Sequence, residues 1–99
     1  MPFKQWDLDF IGEIHPPSSG QNKWILTAIN YFIKWIEAIP TRQATDTVII
    51  SFIENNILSR FGCPQKIITD NAAAFKSKKM IAFCHKYHIT LGHSTAYFP

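Results

Sequence analysis

Two aspartates stand where a carboxylate is costly. Asp70 closes the apolar run "QKIIT" (65–69), and Asp9 interrupts "WDLDFIG" with Leu8 and Phe10 on either side. The carboxyl end of a buried strand is where open α/β sheets bind their ligands. A carboxylate inside a central strand needs a cation or hydrogen-bond donors to offset its desolvation. Brought together by neighbouring strands, the two acids supply the oxygen ligands that Mg²⁺ or Mn²⁺ prefers. Paired ions of this kind drive displacement at phosphorus, activating the attacking oxygen and stabilising the leaving one. The competing reading makes Asp9 part of a solvated face shared with Asp7, two residues earlier, and Asp70 a plain strand end before a polar turn. Ile11, on the same face as Asp7 and Asp9, argues against the first half of it.

The elements that must position these acids follow from periodicity. Alternation predicts a strand over 6–14, with Trp6, Leu8 and Phe10 on one face. "HPPSSGQN" (15–22) reads as a turn. Aromatic and β-branched residues predict strands over 23–32 and 34–40, the second ended by Pro40, in an antiparallel meander with the first. Residues 44–62 read as a helix capped by Thr45 or Asp46, carrying Ile49, Ile53 and Ile57 inward, with Phe52 and Phe61 widening the stripe and Gly62 and Pro64 stopping it. A short buried strand (65–69), a helix within 72–88 with Phe75, Met80, Phe83 and Tyr87 inward, and a final strand (89–94) complete the chain, with 95–99 as a tail. The expectation is one α/β domain over 1–99. Its mixed sheet of five strands is a meander of three followed by helix–strand–helix–strand with parallel additions.

Composition narrows the function classes. At 99 residues and 46% apolar content the chain is a single domain. No apolar run reaches the roughly 18 residues of a membrane span, and the N-terminus lacks a secretory pattern, so an intracellular setting is expected. Cys63 and Cys84 make no disulfide framework and are expected to be reduced. Up to residue 69 the acids and bases balance; beyond Asp70 come Lys76, Lys78, Lys79 and Lys86 and no acid at all. Such asymmetry fits a face turned to a polyanion, or else a solvated lysine-rich helix face. Cys84, His85, His88 and His93 fit no tight zinc spacing. Trp24 and Trp35, inside apolar runs, are expected in the sheet core.

Three blocks in order, "WDLDFIG", "AIPTRQATDTVIISFIENNILSRFGCPQKIITDNAAAF" and "CHKYHITLGHSTAYFP", resemble the catalytic core of retroelement integrases, nearest those of gypsy-type LTR retrotransposons of plants. The resemblance implies a ribonuclease H-like fold in which Asp, Asp and Glu hold two Mg²⁺ (or Mn²⁺) ions. By it Asp9, preceding Phe-Ile-Gly, matches the first acid, Asp7 a variable neighbour and Asp70 the second acid, followed by Asn71. It also implies DNA as partner, contacted by Asn71, Lys76, Lys78, Lys79 and Lys86, with His93, Ser94 and Thr95 near the same backbone. A homo-oligomer, no membrane association and a nuclear site for the integration step complete the expectation.

The chain departs from the family pattern in two places. Ala72 stands where the family usually has glycine, which would strain or reshape the loop beside the site. The family's glutamate lies on a helix beyond the Ser-Thr-x-Tyr-x-Pro tail, whereas no acid here follows Asp70. The expectation is therefore a core lacking its C-terminal helices. Its reaction, by the resemblance, is metal-dependent polynucleotidyl transfer (3′-end processing and strand transfer), silent in this fragment. The alternatives are a non-catalytic nucleic-acid-binding or dimerising remnant, and a nuclease that recruits Glu37 or Glu54 as its third acid.

Overall fold

The structure, a computed structural model, describes residues 4–12 and 23–94. Along β1 (Gln5–Gly12) Trp6 and Leu8 are 2% exposed while Asp7 and Asp9 face the other way. β2 (Trp24–Asn30) pairs antiparallel with β1, and β3 (Trp35–Thr41) antiparallel with β2. β4 (Lys66–Thr69) and β5 (Thr90–His93) add in parallel on the other side, in the order β3-β2-β1-β4-β5. The strand that carries Asp9 is thus the central one. Gly12 lies under the Trp24 ring, where a Cβ would overlap it.

One face of this sheet is covered by helices. A single helical run comprises α1 (Asp46–Phe52), a π-helical segment (Ile53–Leu58) and α2 (Ser59–Phe61). Thr45 is its cap, with Val48 N donating to Thr45 Oγ1 at 3.4 Å, and Gly62 at φ +84° ends it where a side chain would be strained. Ile49, Phe52, Ile53 and Ile57 are buried against Trp6, Leu8, Leu26 and Ile67. Each such side chain contributes about 1.5–3 kcal/mol of transfer free energy. The opposite face, carrying Ile11, Ile29, Ile36 and Ile68 beside the acids, has no helix on it among the described residues.

Several elements differ from expectation. The second helix is divided into a 3₁₀ turn (Ala73–Lys76) and α3 (Lys78–Lys86). Ser77 is extended between them and accepts from Met80 N at 3.0 Å, a fresh N-cap. Residues 31–34 form a turn rather than strand ends. Asn30 Oδ1 accepts from Phe32 N (3.1 Å) and Ile33 N (3.2 Å), and Lys34 takes φ +58°. β3 passes through Pro40 to Thr41, because on an edge strand the missing N–H breaks no ladder bond. Trp35 is 42% exposed, contrary to the expected core position: it lies at that edge against Phe61, its indole N–H donating to Glu37. Trp24 is half-buried beside Phe10. Residues 13–14, the turn 15–22 and the tail 95–99 lie outside the described residues.

Candidate metal centre

The parallel register sets Leu8 against Thr69, and one residue further Asp9 and Asp70 leave the two strands on the open face. Their carboxyl groups lie near enough for a shared proton to bond one to the other. Partial desolvation, then that bond and the negative charge of Asp70, push Asp9 above the ordinary carboxylate range against a weaker opposing hydrogen bond from Phe10 N–H. A raised carboxyl beside another carboxyl is what two acids without a cation produce. Among the described residues no base lies within ion-pair distance of either acid. Both line an open cleft of about 400 Å³ with Asp7, Thr27, Tyr31 and Ser94. Asp7 Oδ1 accepts from Gln5 Nε2 at 3.3 Å.

Asp70 is held by its own loop. Ala72 N donates to Asp70 Oδ1 at 2.9 Å, an Asx turn that aims the carboxylate. Ala72 itself sits at φ −60°, ψ 142°, ordinary extended backbone, so the alanine in place of glycine is unstrained and the expected distortion is absent.

The expected DNA-contacting residues separate into groups. Asn71, Lys76 and Lys78 are exposed on the segment leaving Asp70. Lys79 Nζ instead donates to Thr47 Oγ1 at 2.9 Å, tying α3 to the start of α1. Lys86 lies at the other end of α3, about 12 Å along the helix from Lys78, with its ammonium over the Tyr87 ring. Ser94 lines the cleft, His93 turns toward Thr69, and Thr95 falls outside the described residues.

Neither alternative third acid reaches the cleft. Glu37 sits on the helix-covered face, both oxygens 2.9 Å from Arg60 Nη1. Desolvation opposes its ionisation, but hydrogen bonds from Trp35, Asn56 and Arg60 and the guanidinium charge hold it below the usual range. Glu54 is exposed on the π segment. No group of three or more His, Cys, Asp or Glu side chains converges among the described residues, which covers the Cys84/His set as well. Cys84 is buried and its thiol is pushed up to about 11 by desolvation and the neighbouring Cys63; both cysteines are free. Sequence reasoning missed Thr69 and Thr27 as neighbours of the acids, and the only signal was their place one residue before Asp70 and opposite Asp9.

A profile of the integrase core domain family matches residues 1–99. The Gag-Pol polyprotein of avian reticuloendotheliosis virus is 32% identical over 98 residues, covering 99% of this chain and 8% of that polyprotein. The Gag-Pol polyprotein of gibbon ape leukemia virus is 40% identical over 74 residues, 75% of this chain and 4% of its own. Among solved structures, the trimeric form of the HTLV-2 integrase catalytic core domain in complex with magnesium aligns at TM-score 0.78 and 25% identity, over 95% of this chain and 61% of that one. The simian T-cell lymphotropic virus intasome in complex with the PP2A regulatory subunit B56 gamma aligns at TM-score 0.76 and 20% identity, over 100% of this chain and 33% of that one, and speaks for the fold alone. The chain thus spans a small part of the polyproteins and less than two thirds of the solved chains. With the profile matched from end to end and the mixed sheet of a ribonuclease H-like core in place, the chain belongs to the integrase core domain family of retroelements.

Proposed function

We propose that this chain is part of a DNA-integrating enzyme, a metal-dependent polynucleotidyl transferase that processes 3′ ends and joins them to a second DNA. The observation that carries the reading is the convergence of Asp9 and Asp70 on an open face, with no base to neutralise them among the described residues. Their donor chemistry suits Mg²⁺ or Mn²⁺, both of which take carboxylate oxygens. When bound, such ions supply charge stabilisation at the oxygens exchanging on phosphorus. The magnesium complex of the HTLV-2 core supports this assignment.

Asp9 and Asp70 hold the cation, and Ala72 N–H keeps the Asp70 carboxylate aimed at it. Asn71, Lys76 and Lys78 take the DNA backbone as phosphate contacts, which add affinity without sequence information. Lys79, shared with Thr47, and Lys86, at the far end of α3, add longer-range attraction. Self-association, supported by the trimeric form of the HTLV-2 core, and a nuclear site of action belong to the same reading. So does descent from a gypsy-type retrotransposon.

Only two acids meet among the described residues, and this favours a second reading, a DNA-binding or dimerising core without chemistry of its own. One experiment separates them: DNA cleavage with Mn²⁺, by residues 1–99 and by the same chain extended with a helix bearing a glutamate. The integrase reading expects no cleavage by the first and cleavage by the second, abolished by Asp9→Asn or Asp70→Asn. No cleavage by the extended chain, with DNA binding intact, favours the second reading. Cleavage by the unextended chain, lost in Asp9→Asn, would show that two acids suffice.

A further inference from the structure

The end of β5 grips the peptide that carries Asp70. Past the Thr69↔His93 pair, Ser94 N donates to Thr69 O at 2.7 Å, and Ser94 Oγ reaches the same carbonyl at 3.3 Å. His93 Nδ1 lies 2.7 Å from Thr69 Oγ1 and 3.3 Å from Asp70 O, and Thr69 Oγ1 donates to Asp70 O at 2.9 Å. One arrangement of protons satisfies all of these contacts: the threonine hydroxyl donates to Asp70 O, and Nδ1, in the tautomer that carries the proton there, donates to the hydroxyl oxygen. The three groups make one directed chain from β5 to the Asp70 backbone. With His93 and Ser94 in place Thr69 is 1% exposed, so its hydroxyl is bonded within the protein.

Both carbonyls flanking the Asp70 Cα are therefore fixed from β5, while Ala72 N fixes its carboxylate from the loop. We infer that His93 is a positioning residue of the acid pair: through the Thr69 hydroxyl it holds the Asp70 backbone in the orientation that turns its carboxylate toward Asp9. This rests on the metal-site reading above in one respect, that the orientation matters to a divalent cation. Outer-layer partners of this kind commonly govern metal affinity by tenfold or more.

The test compares wild type, His93→Ala and His93→Asn, whose side-chain amide places a donor near the position of Nδ1. Three quantities are read: Mn²⁺ affinity by calorimetry, amide exchange at Ala72 by NMR, and the melting temperature. The inference expects His93→Ala to bind Mn²⁺ about tenfold more weakly and to exchange the Ala72 amide faster. His93→Asn should restore both, with all three proteins melting within a few degrees of one another. Unchanged Ala72 exchange in His93→Ala, or His93→Asn no better than His93→Ala, would overturn it. If wild type takes up no Mn²⁺, the metal reading falls, and Ala72 exchange still decides whether His93 holds the Asp70 segment.

Discussion

Asp9 and Asp70 bring their carboxyl groups to one cleft across the parallel β1–β4 pair, near enough for a shared proton to favour the neutral form of Asp9. Desolvation and the Asp70 carboxyl raise the Asp9 value, so between the ordinary and the raised value the folded chain binds more protons than the unfolded one. The metal-free domain therefore loses stability as pH rises through that window. Asp9→Asn removes the penalty: at neutral pH without metal it should melt a few degrees higher than wild type. The gain that Mn²⁺ confers on wild type should vanish in it. Thermal melts with and without Mn²⁺ check both, and a lower metal-free melt would contradict the repulsion.

Glu37 behaves in the opposite sense. Its carboxylate, held low by Trp35, Asn56 and Arg60 in spite of burial, stabilises the fold above the ordinary value of 4.5, and that stability is lost as pH falls through its depressed folded value. The Arg60 side chain is 49% exposed, so the charge contribution is screened. Glu37→Ala should cost about 1–2 kcal/mol at neutral pH, roughly a 10 °C lower melt. The gap between mutant and wild type should close in acid, as urea unfolding across pH would record.

Lys76 and Lys78 should matter more to DNA binding than Lys86. Removing either of the first two is expected to weaken binding to any duplex alike and lower the salt slope by roughly 0.9 per lost phosphate contact. Lys86→Ala, about a helix length away, should leave the slope nearly unchanged. Fluorescence anisotropy over a salt series measures this, and equal slopes for all three mutants would contradict the placement.

Ser77 caps α3 through Met80 N. Ser77→Ala should cost about 1 kcal/mol, a melt lowered by roughly 4–8 °C, while Ser77→Thr, which keeps the hydroxyl, should stay near wild type. Equal melts for Ser77→Ala and wild type would show that the cap adds nothing.

The acid pair was legible because two patterns agreed. Alternation in β1 put Asp9 opposite Trp6, and the meander made β1 central, next to the strand that ends on Asp70. What escaped the sequence depends on side chains meeting across elements. Alternation gives Trp35 a face but not its distance from the sheet edge. Phe75, Met80, Phe83 and Tyr87 keep a helical stripe that masks the break at Ser77. Tyr31, Phe32 and Ile33 favour strands, and the Asn30 side chain, accepting from Phe32 N and Ile33 N, together with Lys34 at φ +58°, makes them a turn. Lys79 reads as a free cation until Thr47 is brought beside it.

The π segment has a consequence for how this helix tolerates length changes. Ile49, Ile53, Ile57 and Phe61 repeat every four residues, and in a pure α-helix of about 3.6 residues per turn such a row winds off the sheet. A turn closed by i→i+5 bonds holds more than four residues and winds the row back. Deleting one residue between Ile53 and Leu58 would let the segment close as ordinary α-helix with the rest nearly in phase, but inserting one more would turn everything beyond it by about 100°. Arg60 would swing away from Glu37, and Phe61 away from Trp6 and Trp35. The π turn acts as a phase corrector, and the segment tolerates the loss of a residue better than the gain of one.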